Sequence, residues 1–202
     1  MGVSLPAESG NHATLDAGHW IHARRTVLPK RLVGPGPEPA ELAAIFGAAA
    51  AAPDHGQLLP WRFVLVPLER RDALADVFEQ ALVERDAAAE PEQRAQAREK
   101  AYRAPVVALL VVHGGRGDPA IDWNERLISA GCAVQNVLLM ATSLGFGSSL
   151  TSGKAMMSSV LRRRFGLHEH EQAVCFVSVG SVASSRPDRP RPTLSDYLSV
   201  LE

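Results

Sequence analysis

The sequence predicts one globular domain that combines a few β-strands with long helices. Three observations carry this. The 202-residue, 21.7 kDa length favours a single domain, large enough to bury about 70% of its unfolded surface. Residues 104–113, APVVALLVVH, form an uninterrupted apolar run of strand length bounded by Pro105 and by Gly114 and Gly115, the pattern of a strand buried on both faces. Residues 127–140 are apolar around most of a helical circumference, as expected of a central helix.

The elements follow in order. Residues 1–20 are polar and mixed. They lack the charged start, apolar stretch and cleavage site of a signal peptide and are expected to form a flexible arm ahead of one domain over residues 21–202. Residues 22–31, HARRTVLPKR, hold four basic side chains and no acid, and Gly34, Pro35, Gly36 and Pro37 then impose a stiff turn. Leu42, Ile45, Phe46 and Ala49 recur at helical spacing, so residues 38–52 form a helix stopped by Pro53. Residues 61–67, WRFVLVP, read as a strand. Residues 69–102 are charged and alanine-rich and are broken by Pro91, which predicts two amphipathic helices lying outside the core. After the strand at 104–113, Asp118 as N-cap and Pro119 open a helix that Gly145 closes. Residues 154–165 form another helix, closed by Gly166, and 173–179, AVCFVSV, form a third strand. Residues 184–192 carry three arginines and three prolines and read as an extended arm, followed by a final strand or turn over 193–201. No repeat appears at periods of 20 to 50 residues.

Composition excludes several classes of function. With 46% apolar and 21% charged residues the chain is neither disordered nor fibrous. A formal net charge of -1 gives no global field toward nucleic acid or anionic lipid, so no nucleic-acid or membrane partner is expected and any anion site is local. The longest mostly apolar stretch, 127–140, falls short of the roughly 20 residues of a membrane span. Cys132 and Cys175 both sit in apolar runs and are too few for a disulfide framework, which points to a reducing, cytoplasmic compartment.

Three segments could carry chemistry. Arg24, Arg25, Lys30 and Arg31 with the Thr26 hydroxyl either grip a phosphate, because guanidinium forks match phosphate oxygens, or form a solvated basic loop. The loop Pro53, Asp54, His55, Gly56, Gln57 places polar and flexible residues where ligand contacts concentrate, although His55 beside Asp54 is also what a local hydrogen-bonded pair looks like. Residues 145–153, GFGSSLTSG, are rich in glycine and hydroxyls and could let backbone amides approach a planar or phosphorylated ligand. A helix precedes that segment, so it is not the dinucleotide fingerprint, and no P-loop motif exists. Cys132 reads as a packed core thiol. His168, Glu169, His170 and Glu171 read as a solvated connector, and no metal site is predicted. No triad or acid pair emerges, so no side chain is assigned a catalytic role.

Taken together, these motifs resemble the nitroreductase family of flavoproteins. The motifs are Arg24-Arg25-Thr26, Ala52-Pro53-Asp54-His55 running into Pro60-Trp61-Arg62-Phe63, Ser129-Ala130-Gly131-Cys132-Ala133-Val134, and Gly145-Phe146-Gly147. The likeness spans Ile21 to Leu198 and is strongest to the short-chain YdjA-like branch. It implies an α+β sandwich with a central, mainly antiparallel sheet flanked by helices, in an intertwined homodimer whose two FMN sites are each built from both chains. By position, Arg24, Arg25 and Thr26 would bind the FMN phosphate and ribityl region. Ala51 and His55 would contact the flavin from the loop side, and Leu150, Thr151 and Ser152 would line the isoalloxazine. Met140, Ala141, Thr142, Ser143, Leu144 and Gly145 would match the nicotinamide-binding stretch.

The activity implied is an NAD(P)H-dependent FMN oxidoreductase that passes hydride from nicotinamide to FMN and on to a nitroaromatic, quinone or similar small acceptor, the flavin carrying the chemistry. The alternative is a flavin-binding protein of the same fold without efficient turnover. The chain departs from the branch where it commonly has arginine, at Ala51, where it has glutamine, at Leu59, and at Leu150 and Thr151, which replace tryptophan and arginine. Each lost arginine contact would cost about 1 to 3 kcal/mol unless replaced, and Arg31, Arg186 and Arg191 are the candidate replacements.

Overall fold

The computed structural model describes residues 12–184 and 190–201. Eleven regular elements succeed one another: α1 His12–Ala23, β1 Leu32–Val33, α2 Pro39–Gly47, β2 Trp61–Leu65, α3 Arg71–Arg85, α4 Pro91–Glu99, β3 Val106–His113, α5 Trp123–Ser143, β4 Gly147–Thr151, α6 Ser159–Arg164 and β5 Glu171–Val182. This is an α+β arrangement around one antiparallel sheet. β3 pairs with β2, setting Trp61 opposite Val112, and with β5, setting Val106 opposite Val179. β4 covers the other edge of β5, with Gly147 opposite Gly180 and Thr151 opposite Phe176.

β3 is buried along nearly its whole length because its two faces feed two separate cores. Val106, Leu110 and Val112 point into one, where Ala130, Ala133, Val134, Val137 and Ala141 of α5 meet Ile45 of α2. Val107, Leu109 and Val111 point into the other, against Leu74, Ala75 and Val77 of α3 and Phe176 of β5. The period-2 alternation of a strand is thus hidden in the sequence, since both phases are apolar.

Several boundaries differ from the sequence expectation for identifiable reasons. The central helix begins at Trp123 rather than Asp118. The Asp122 carboxylate is the N-cap and accepts from the Asn124 and Glu125 amides, whereas Asp118 closes a local turn onto the Ala120 amide. The helix expected over 154–165 is divided at Ser158, whose hydroxyl caps α6 through the Leu161 amide. The helix over 38–52 relaxes into a 3-10 turn at Ala48–Ala51. The segment 69–102 does hold two helices, but α3 is not outside the core: Leu74, Ala75, Val77 and Ala81 are sealed against the sheet. The described part of the N-terminal arm, from His12, is helical as α1. Residues 193–201 resolve the open choice in favour of a turn at Leu194–Asp196.

The largest correction concerns residues 145–153. They are not a ligand loop throughout, because Gly147–Thr151 is a strand. Glycine and serine are poor strand formers, and their presence here reflects space. A Cβ on Gly147 would lie 2.7 Å from Val182 Cγ2, 2.9 Å from Leu32 Cδ2 and 3.1 Å from Val27 Cγ2. Gly147→Ala should therefore lower stability by about 1 to 3 kcal/mol, measured as a drop in the urea midpoint with an unchanged m-value.

Two buried arginines, not anticipated from sequence, fix the connections. Arg71 donates to the carbonyls of Val66, Ala101 and Pro105 at 3.1, 2.8 and 2.8 Å. Arg126 donates to those of Ile121, Arg116 and Asp118 at 2.9, 2.6 and 2.7 Å.

Candidate functional site

The basic segment leaves α1 at Arg24 and is drawn along β4, where the Val27 amide donates to the Ser148 carbonyl at 2.9 Å and Thr26 bridges Ser148. This brings Arg24, Arg25, Thr26 and Arg31 to the rim of a cavity of about 640 Å³, beside Thr142 and Gly145 at the end of α5. Arg191 reaches the same cavity from the C-terminal segment and donates to the His22 and Arg24 carbonyls at 2.8 and 3.3 Å. Arg25 donates to those same two carbonyls.

Four arginines therefore line one cavity, and among the described residues no carboxylate lines it. Burial, and then the positive charges of Arg191 and Arg25, pull Arg24 below its ordinary value. Like charges gathered in this way raise the energy of the empty cluster and lower it when an anion enters. Of the three candidate replacements for the missing arginines, Arg31 and Arg191 are thus at the cavity, and Arg186 lies outside the described residues.

A second cavity of about 730 Å³ is lined by Thr151 and Ser152 and shares Leu28 with the first. The two adjoin at Leu28, the first ringed by guanidinium groups and the second by a mixed wall that includes Phe78, Leu82, Met156 and Phe176 together with basic side chains such as Arg103 and Lys154. Leu150 is 43% exposed and lines neither cavity. In the stretch 140–145, Thr142 and Gly145 face the first cavity, whereas Ala141 is sealed in the core at 0% exposure. The Thr142 and Ser143 hydroxyls donate back to helix carbonyls at 2.8 and 2.9 Å.

Ala51 and His55 lie elsewhere. Ala51 ends the 3-10 turn after α2, and His55 starts another turn in which Gly56 and the non-glycine residues Gln57 and Leu59 take positive φ. The Asp54 carboxylate does not pair with His55 but accepts from the Leu59 amide at 2.6 Å. His55 Nδ1 instead meets the Glu125 carboxylate at 2.6 Å, which raises the imidazole above its ordinary value through that hydrogen bond and the accompanying charge. Glu125 is in the first turn of α5 and Thr142 in its last, about 25 Å apart at the helical rise. One chain therefore holds the two halves of the candidate site at opposite ends of its central helix.

The donor set of the first cavity, four arginines and the Thr26 hydroxyl, suits the phosphate of a ligand such as FMN. That phosphate would be held by Arg24, Arg25, Thr26 and Arg191, with the flavin ring toward Thr151 and Ser152.

The remaining candidates resolve as follows. Cys175 is buried and desolvation pushes its thiol up to about 11, so it is inert. Cys132 is not packed in the core as expected but is half-buried on the flank of α5. Glu171 is not part of a solvated connector. It is 5% exposed, accepts from Arg62 Nε and Nη2 at 2.6 and 3.0 Å and from the His168 amide at 3.0 Å. Arg62, despite the cost of burial, thereby holds this carboxyl down at about 2. Its folded value lies below the unfolded one, so the stabilisation is complete above about pH 4.5 and is lost as pH falls toward about 2. Glu171→Gln should cost about 2 kcal/mol at neutral pH, with the difference from the parent shrinking on acidification, as thermal melts at pH 7 and pH 3 would show.

No helix of the described residues is long and apolar enough to cross a membrane, and among them no group of three or more metal-ligating side chains occurs.

Comparison with known proteins places these features. The family model described as "Nitroreductase family" matches residues 21–181. The Escherichia coli protein named "Putative NAD(P)H nitroreductase YdjA" is 32% identical over 184 residues, covering 89% of this chain and 97% of that one. A nitroreductase-like family protein from Bacillus cereus superposes with a TM-score of 0.79 at 18% identity, over 98% of this chain and 100% of that one. The structure of the FMN and NADPH-dependent nitroreductase NfnB from sphigopyxis sp. strain HMH superposes with a TM-score of 0.70 at 21% identity, over 92% and 99%.

Proposed function

The chain belongs to the nitroreductase family, and on that premise we propose that it is an NAD(P)H-dependent FMN oxidoreductase acting on a nitroaromatic, quinone or similar small acceptor. The observation that carries the reading is the arginine-lined cavity, with no described carboxylate on its wall, adjoined at Leu28 by a second cavity of about 730 Å³. When bound, FMN supplies the two-electron relay between nicotinamide donor and acceptor. The protein's own part is to hold the phosphate through Arg24, Arg25, Thr26 and Arg191 and to keep the ring against Thr151 and Ser152. Thr142 and Gly145, in the stretch 140–145 assigned to the nicotinamide donor, stand at the mouth of the same cavity.

Two chains complete each site. Leu127 and Ile128, adjacent in the first half of α5, are 37 and 66% exposed, an apolar face that one chain leaves uncovered, and Leu144, just past the end of the helix, is 39% exposed. The C-terminal segment likewise exposes Leu194, Tyr197, Leu198 and Leu201 at 60, 69, 59 and 99%. A two-fold partner lying on this face would run the α5 helices past one another and bring the Ala51 and His55 end of one chain to the arginine end of the other. Both cysteines are free thiols, in keeping with a reducing, cytoplasmic compartment. Titrating apoprotein with FMN tests the reading: one FMN per chain, bound by a dimer in light scattering, supports it, and protein that takes up none overturns it.

A further inference from the structure

The arginine-lined cavity accounts for the negative charge of an FMN phosphate, yet the cavity adjoining it is basic as well. Lys30, Arg85, Lys100, Arg103 and Lys154 all line the 730 Å³ cavity, and among the described residues no carboxylate does. The chain as a whole has 21 basic and 22 acidic residues, so this local imbalance is not a reflection of composition. These cations come from four separate parts of the chain, the basic segment, the end of α3, the turn after α4 and the turn after β4, which the fold brings around one opening.

Arg103 is the most deeply set. Its Nη2 meets Glu99 at 3.3 Å, but its Nε is buried and has no hydrogen-bond partner. A buried guanidinium donor without an acceptor costs free energy unless a ligand supplies one. The floor beneath these charges is apolar and partly aromatic, formed by Phe78, Leu82, Met156 and Phe176. An isoalloxazine ring is uncharged in its oxidised form, so it satisfies the floor and leaves the surrounding cations in excess.

We propose that this second cavity selects an electron acceptor built as an aromatic ring bearing an organic anion, such as a carboxylate or sulfonate. The proposal rests on the oxidoreductase reading above and names the acceptor class of that same site. The aromatic body would lie over the ring end, and the anion would meet the exposed Lys100 or Lys154 at the rim, with the more deeply set Arg103 behind them. For a quinone of this class the balance is one NAD(P)H and one proton consumed, giving the hydroquinone and NAD(P)+.

Benzoate and benzamide test it, since they share a shape and differ in charge, and neither is reduced. Both are titrated into oxidised, FMN-loaded protein, with the flavin visible absorbance as the readout. Benzoate should bind about tenfold more tightly than benzamide at low salt, and the preference should shrink as NaCl rises to 0.5 M by screening. In Lys100→Gln/Lys154→Gln protein that still holds FMN, the preference should fall at least threefold. Equal binding of the two ligands, or a preference that neither salt nor the double substitution moves, would overturn the proposal. Protein that cannot be loaded with FMN, or whose flavin NADH and NADPH both leave oxidised, would instead remove the reading on which it rests.

Discussion

Arg24→Ala should weaken FMN binding by about tenfold to a hundredfold while leaving the fold intact. The charge-assisted contact it would make to a phosphate is worth about 1.5 to 3 kcal/mol. Among the described residues that guanidinium makes no ion pair, and its neighbours Arg191 and Arg25 disfavour its charge. Removing it relieves repulsion within the protein and removes attraction only for the ligand. The apoprotein melting temperature should therefore stay within about 2 °C of the parent, while the flavin content after purification falls. Full flavin content in the variant would show that the phosphate is held elsewhere.

Ile128→Glu should separate the dimer and cost the protein its flavin together. Ile128 is 66% exposed on the outer face of α5, where a charge is harmless in a lone chain. Against an apolar partner face the same carboxylate would be desolvated without a counter-charge, at a cost of several kcal/mol, enough to raise the dimer dissociation constant more than a hundredfold. His55, about 25 Å of helix away from the arginines, would then no longer reach the cavities of another chain. Light scattering at micromolar concentration and the visible spectrum should change in step. A variant that becomes monomeric and keeps its FMN would show that one chain is sufficient.

How far the sequence revealed this depended on where the physical signal was local. β3 declared itself because seven consecutive apolar residues, Val106 to Val112, follow a proline and stop just short of a glycine pair and allow little else, and α5 because its apolar positions run round most of the helix. β4 was missed because glycine and serine are weak strand formers and Gly147 is small for a steric reason that exists only once Val27, Leu32 and Val182 converge on it. Glu171 read as solvated because its partner Arg62 is 109 residues distant. Arg71 and Arg126 gave no signal at all, since a buried arginine serving backbone carbonyls has no pattern in one dimension.

The site divides in the same way. Arg24, Arg25 and Thr26 are contiguous, so their basic cluster is legible in one dimension, whereas Arg191 joins them at the cavity only through the path of the C-terminal segment. That Asp54 would turn to the Leu59 amide, leaving His55 to Glu125, depends on the positive-φ turn between them. The separation of His55 from the arginines required α5 to be placed.

A flavin held at the arginine-lined site should be reduced by a nicotinamide and reoxidised by a small acceptor. Adding NADH or NADPH without oxygen to the FMN-loaded dimer, then a quinone, measures this directly. The yellow absorbance should bleach with at least one donor and return with the acceptor; a flavin that stays oxidised with both would mean a binding protein without turnover and overturn the oxidoreductase reading.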